Sequence, residues 1–304
     1  MTTAAVSVQS ASSCTPPAAP RRRAGIFAHR GASGVFAEHT RAAYLRALEE
    51  GADGLEIDVH LTRDGEVVCF HDATLERTTD GRGALAGLTL AQLRTLDVTS
   101  WRTPDLPREY GSPSRQLMTL QDTLDVLSHA GRSVHLAVEL KHPSPFGHQL
   151  EDRVLRVLLA YGWDPETSTI RSGQHTVEVS FMSFSPGSLR HLGELVPAER
   201  LCALLAPVTG HHVRARSAAM RGAVRGSEAL VWNRQIGMAG PGISYVRAHR
   251  AEAKAWIARG ARLRVWTVDT QDDAEMLLSL GVQEITTNYP ERIIRAVSSP
   301  PALV

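Results

Sequence analysis

The chain has 304 residues, 43% of them hydrophobic, and a formal net charge of +1. That length suits one large core, and the near-neutral balance argues against a charge field built for nucleic acid or an anionic membrane. No run approaches the roughly 18 apolar residues needed to span a bilayer, and the cysteines (Cys14, Cys69, Cys202) offer neither a disulfide framework nor a zinc spacing, which fits a reducing, cytoplasmic setting.

Residues 1–24 are rich in Ser, Ala and Pro and end in Arg21-Arg22-Arg23. Charge follows the small residues and no continuous apolar region is present, so the segment reads as a disordered tail, not a secretory signal. A first strand is expected at 26–29, closing on His29, with Arg30 and Gly31 directly behind. Arginine can clamp phosphate oxygens with two N–H groups, and glycine lets backbone approach a ligand. A helical pattern covers 40–50.

The next strand, 54–60, carries Glu56 and Asp58 two residues apart, so both carboxylates project from one face. Like charges held that close repel, so one takes a proton or a cation sits between them. Oxygen-only ligands favour Mg²⁺ or Ca²⁺ over zinc. Arg63-Asp64-Gly65 is a hairpin signal leading into a short strand at 65–70. His71 follows, where an imidazole could act as acid or base near neutral pH.

Residues 73–117 are too long for an ordinary loop. They read as a small helical insertion that roofs the site, with Leu85, Leu88, Leu93, Leu96 and Trp101 as its apolar residues. A helix at 119–130 leads to a strand at 135–140, where Glu139-Leu140-Lys141 repeats the two-residue spacing. That places a third carboxylate and a cation on one face, and the cation could neutralise phosphate charge.

Strands are expected further on at 178–184, 201–205, 229–232, 263–268 and 284–287, and helices at 149–160, 186–195, 246–259, 272–280 and 290–297. Residues 209–227 read as a short helix or a long loop, with the arginines of 214–225 on a solvated face. Gly51, Gly131, Gly162, Gly260 and Gly281 stand just past helices, where glycine takes positive φ without strain. Eight strands alternating with helices predict an α/β (β/α)₈ TIM barrel, a fold that collects catalytic groups at the carboxyl ends of its strands. An open doubly wound sheet is the alternative. It would part the first strand from the seventh, and the first turn lacks a glycine-rich phosphate loop.

Together, HRG at 29–31, EIDVHLTRDGEVVCFHD at 56–72 and ELK at 139–141 resemble the glycerophosphodiester phosphodiesterase family, over a span of about residues 26–297. RTTDG at 77–81 resembles the start of the insertion that family carries. The resemblance implies His29 and His71 as the acid/base pair, and Glu56, Asp58 and Glu139 as ligands of a divalent metal, Mg²⁺ or Ca²⁺. It implies Arg30 and Lys141 as phosphate contacts, Trp266 as a wall against the alcohol part, and Glu38 as support from behind. The implied reaction is hydrolysis of a glycerophosphodiester to glycerol 3-phosphate and an alcohol such as choline or ethanolamine. The family's PENT segment reads Ala37-Glu38-His39-Thr40 here, so His39 is expected to alter how its loop packs, and Asn288 replaces the usual aspartate. Two other readings compete: a lysophospholipase D or sphingomyelinase-D-like enzyme on the same barrel, and a barrel that binds a phosphoryl ligand without turnover. Which histidine is the base, and whether water or the neighbouring glycerol hydroxyl attacks first, stay open at the level of sequence.

Overall fold

A computed structural model describes residues 24–205 and 214–298. The tail at 1–23, Cys14 and residues 209–213 of the ambiguous stretch lie outside the described residues. The strands in chain order are β1 (Gly25–His29), β2 (Gly54–Leu61), β3 (Val67–Cys69), β4 (Val134–Leu140), β5 (Trp163–Asp164), β6 (Thr169–Ser172), β7 (His175–Ser183), β8 (Leu201–Leu205), β9 (Met238–Pro241), β10 (Arg262–Val265) and β11 (Glu284–Thr287). Eight of them form a closed parallel ring, β1–β2–β4–β7–β8–β9–β10–β11, and β11 returns to β1 with Ile285 opposite Ile26. This is the (β/α)₈ barrel, and the β1–β11 seam excludes the open sheet.

Ring strands are covered on both faces, so β2, β4 and β8 are buried along nearly their whole length, and β8 reads as an unbroken apolar run. The helices are α1 (Arg41–Glu49), α2 (Leu90–Leu93), α3 (Leu120–Ser128), α4 (Gln149–Ala160), α5 (Pro186–Leu192), α6 (Arg214–Trp232), α7 (Ile243–Ala248), α8 (Arg250–Ala258), α9 (Gln271–Leu280) and α10 (Pro290–Ser298). Local chemistry sets their starts. Thr40 accepts from the Ala43 N–H, Thr119 and Asp122 form a reciprocal capping box, and Thr270 caps α9. Gly281 ends α9 at φ 85°.

One expected strand is wrong. Residues 229–232 are the last turn of α6, and the sixth ring strand is β9. A short apolar run such as Ala-Leu-Val-Trp has no period that separates a strand from a buried helix turn. Met-Ala-Gly-Pro carries poor strand propensity, yet Gly240 is required there. A Cβ on it would sit 2.7 Å from Leu204 and 2.9 Å from Cys202. The helix expected at 246–259 is likewise broken at His249 into α7 and α8.

Residues between β3 and α3 hold α2 and single 3₁₀ turns at Leu85–Gly87, Arg108–Tyr110 and Pro113–Arg115. Leu75, Leu85, Leu93 and Val98 pack on Val68, Phe70 and Leu117 as a small separate core. The leucines of this segment therefore fill its own interior, while Trp101 stays 41% exposed.

The amino-terminal mouth of the ring is plugged by charge. Arg264 on β10 is 2% exposed; its Nε donates to Glu284 Oε2 at 2.7 Å, its Nη1 to Ser180 Oγ at 3.0 Å, and its guanidinium lies 4.0 Å over the Phe27 ring. Arg262 takes the other oxygen of Glu284, and Arg200 pairs with Glu178 at 2.6 Å.

Candidate active site

The opposite mouth gathers the residues singled out in the sequence. Parallel register places His29 beside Glu56 and Asp58 beside Glu139. Each of Glu56, Asp58 and Glu139 is buried and offers a carboxylate oxygen, and these oxygens lie within 4.8 Å of one another. Lys141, one residue past β4, reaches Glu139 Oε1 at 2.8 Å and Asp58 Oδ1 at 3.2 Å. Arg30 Nε lies 3.1 Å from Asp58 Oδ2, and the Arg30 N–H donates to Glu56 Oε2 at 3.2 Å.

Burial and crowding set the charge states. Burial, then the nearby Asp58 and Glu139, raises Glu56 well above the usual carboxylate range. Burial and Asp58 also push Glu139 up to about 7. Burial would raise Asp58 too, but Lys141, His39 and Arg30 outweigh it and hold Asp58 well below its ordinary value. Lys141 is held at about 12, since Asp58 and Glu139 overcome its desolvation. The mutual repulsion of three crowded, buried carboxylates pushes Glu56 and Glu139 toward the protonated form despite Arg30 and Lys141. Three oxygen donors in this arrangement could hold a hard divalent cation, which would relieve that repulsion.

The loop between β1 and α1 is strained where it meets the site. Arg30 and His39 both lie in the left-handed region, at φ 60° and 57°. Gly31 has φ 83°, and a Cβ there would meet the Ala43 backbone at 2.6 Å, so this glycine admits α1 rather than a ligand. His39 is 4% exposed and does more than pack: its Nε2 donates to Asp58 Oδ2 at 2.8 Å, and Tyr44 Oη bonds its Nδ1 at 2.9 Å. Glu38 sits behind Arg30, with Oε1 accepting from Nη1 at 2.9 Å.

The two histidines are held by different partners. His29 Nδ1 bonds Asn288 Oδ1 at 2.7 Å, while Asn288 Nδ2 donates to Asp269 Oδ2 at 2.6 Å. A carboxylate only accepts, so Asp269 fixes which end of the amide faces His29. His29 therefore donates through Nδ1 and keeps its lone pair on Nε2. Burial and the Arg30 charge lower its pKa to about 3. His71, beyond β3, bonds a carboxylate directly, Nδ1 to Asp72 Oδ1 at 2.5 Å, and His60 Nε2 donates to the His71 carbonyl at 3.2 Å. Arg77 donates to both Asp72 and Glu38, which joins His71 to the Arg30 side of the site.

Trp266, just past β10, is half-buried; its Nε1 donates to the Gly240 carbonyl at 2.7 Å and its ring meets Phe184 edge-on at 5.7 Å. It belongs to the β7–β10 wall rather than to the carboxylate cluster. His39, Asp72, Asp269 and His60 were not assigned site contacts from the sequence. Asp72 had a signal, since it follows a candidate histidine directly; the others depend on register and loop path. A groove of about 550 Å³ between α1 and α10, lined by Arg46, Glu50, Tyr289 and Arg292 among others, holds none of these groups.

Residues 29–292 match the model of the glycerophosphoryl diester phosphodiesterase family. The "Probable glycerophosphodiester phosphodiesterase 1" of Mycobacterium tuberculosis is 34% identical over 268 residues, which is 88% of this chain and 90% of that protein. The glycerophosphodiester phosphodiesterase of Bacillus subtilis is 29% identical over 266 residues, 87% of this chain and 83% of that protein. Among solved structures, a phosphodiesterase of Oleispira antarctica in complex with the product sn-glycerol-3-phosphate superposes with a TM-score of 0.72 at 25% identity, covering 91% of this chain and 98% of that one. The glycerophosphodiester phosphodiesterase of Thermotoga maritima shares the fold at a TM-score of 0.65 and 17% identity, covering 90% of this chain and 98% of that one.

Proposed function

The chain belongs to the glycerophosphoryl diester phosphodiesterase family, and from that premise we propose that it hydrolyses small water-soluble glycerophosphodiesters to glycerol 3-phosphate and an alcohol. The observation that carries this reading is the buried Glu56–Asp58–Glu139 cluster, whose carboxylate oxygens lie within 4.8 Å of one another beside Arg30 and Lys141. Mg²⁺ or Ca²⁺ held by these three would neutralise the cluster and polarise the phosphoryl group. Arg30 and Lys141 then hold the negative charge that grows on the phosphoryl oxygens. Glu38 keeps Arg30 aimed at them.

The partners of the histidines divide the proton work. His29 leans on a neutral amide and is held unprotonated, so its Nε2 takes the proton of the attacking oxygen. Burial lowers the pKa of His71, but its bond to the Asp72 carboxylate favours the protonated ring more than a neutral amide does, so His71 gives a proton to the leaving alcohol oxygen. Trp266 and Phe184 wall the alcohol side. The product complex of the Oleispira antarctica enzyme supports glycerol 3-phosphate as product here. The reading takes residues 25–304 as one catalytic unit at work in the cytoplasm, in keeping with the buried, unpaired thiols of Cys69 and Cys202. Among the described residues no helix is long and apolar enough to cross a membrane.

The test is release of glycerol 3-phosphate from glycerophosphocholine with Mg²⁺, Ca²⁺ or EDTA. Metal-dependent release, abolished by chelation, is expected. His29→Ala and His71→Ala should each lower kcat about 10²–10⁴-fold with the fold intact. Wild-type turnover in both variants would remove the acid/base assignment, and activity indifferent to EDTA would remove the metal.

A further inference from the structure

Arg77 lies in the segment between β3 and α3, outside the ring, yet it touches both halves of the site. Its Nε donates to Asp72 Oδ2 at 2.7 Å and its Nη2 to Asp72 Oδ1 at 3.1 Å. Its Nη1 and Nη2 reach the two oxygens of Glu38, each at 2.8 Å. A guanidinium has five N–H groups. Four are committed to these carboxylates, so Arg77 is not free to clamp a phosphate, although its side chain is 42% exposed.

What the four bonds do follows from what the two carboxylates hold. Asp72 bonds the His71 ring, and Glu38 bonds Arg30. A continuous chain therefore runs His71–Asp72–Arg77–Glu38–Arg30 and bridges two loops that have no strand pairing to each other. We propose that Arg77 is a positioning residue that locks His71 and Arg30 into one rigid unit. The planar fork bonds both oxygens of both carboxylates with four N–H groups, which an ammonium with three cannot do. Without it, Asp72 is free to turn to solvent and His71 loses the orientation of its ring. Glu38 keeps only its bond to Arg30. The inference rests on the reading of His71 as the acid.

Wild type is assayed first on glycerophosphocholine with Mg²⁺, followed by Arg77→Ala and Arg77→Lys, with Arg94→Ala as a surface control. Arg94 pairs only loosely with Asp122, at 3.4 Å. Arg77→Ala should lower kcat about 100-fold, the size of effect expected from a slight misplacement of a reacting group, with KM changed little. Arg77→Lys should recover only a minor part. Because the site of the lost side chain is open to solvent, millimolar guanidinium should restore part of the Arg77→Ala rate and leave wild type unchanged. Unchanged kcat in folded Arg77→Ala, or a loss that guanidinium does not relieve, overturns the proposal. If Arg77→Ala fails to fold, Arg77→Lys is judged by its kcat alone, and a rate within twofold of wild type overturns it. An inactive wild type overturns the underlying function together with this inference, whereas an active wild type with an indifferent variant overturns only the latter.

Discussion

At the amino-terminal mouth of the barrel, Arg264 divides its donors between Glu284 and Ser180 and stacks on Phe27. At the carboxyl-terminal mouth, Glu56, Asp58 and Glu139 compete for Arg30 and Lys141. Both mouths bury ions, but Arg264 and Glu284 are matched across neighbouring strands, whereas two of the three carboxylates are driven toward protonation. A satisfied buried pair closes a fold; an unsatisfied one is a place for something to bind.

Substitution at each mouth tests that contrast. Arg264→Ala leaves Glu284 short of a partner, so it should cost about 3–5 kcal/mol in denaturant melts while folded protein keeps its specific activity. A loss of activity without a loss of stability would break the distinction. Mg²⁺ at a hundred times its Kd should stabilise wild type by about 2.7 kcal/mol. Glu56→Gln should gain almost nothing from the metal, yet melt no earlier than wild type without it, because Gln copies the neutral carboxyl toward which Glu56 is already driven. A lower melting point for metal-free Glu56→Gln would mean that the cluster is structural.

Acid sharpens the contrast. His29 is held at about 3 by burial and Arg30, and His60 at about 4 by burial first. Below pH 6.5 the unfolded chain binds protons that these buried rings refuse, so stability present above 6.5 is lost as pH falls toward 4 and 3. The slope should reach up to about 1.4 kcal/mol per pH unit for each histidine. Melts at pH 7.5 and 5.5 measure it, and His60→Gln should flatten the slope.

Sequence showed what is local and periodic. The spacing of Glu56 and Asp58 predicted a shared face, and Glu139-Leu140-Lys141 predicted its neighbour, because strand alternation needs no knowledge of the rest of the chain. Seven of the eight expected strands lie in the ring. The eighth failed because β9 owes its strand to close packing of Gly240 against Leu204 and Cys202, which no propensity scale contains. The contact of His39 with Asp58 was hidden for another reason. It depends on two left-handed residues, Arg30 and His39, that turn the loop back toward β2. In sequence Asn288 was only a replacement of the usual aspartate; in place it is a bridge between Asp269 and His29 that only barrel closure could form.

That bridge spans 259 residues of sequence. On the ribosome, β1 emerges long before β11 exists, so His29 is made early and stays without its tautomer-setting partner until the last barrel strand is translated. A nascent chain stopped before Thr287 exposes the β1 edge, an invitation to pair with other chains, and leaves the His29 ring unoriented beside its carboxylates. Closure of the barrel and the orienting of the His29 ring therefore become one event.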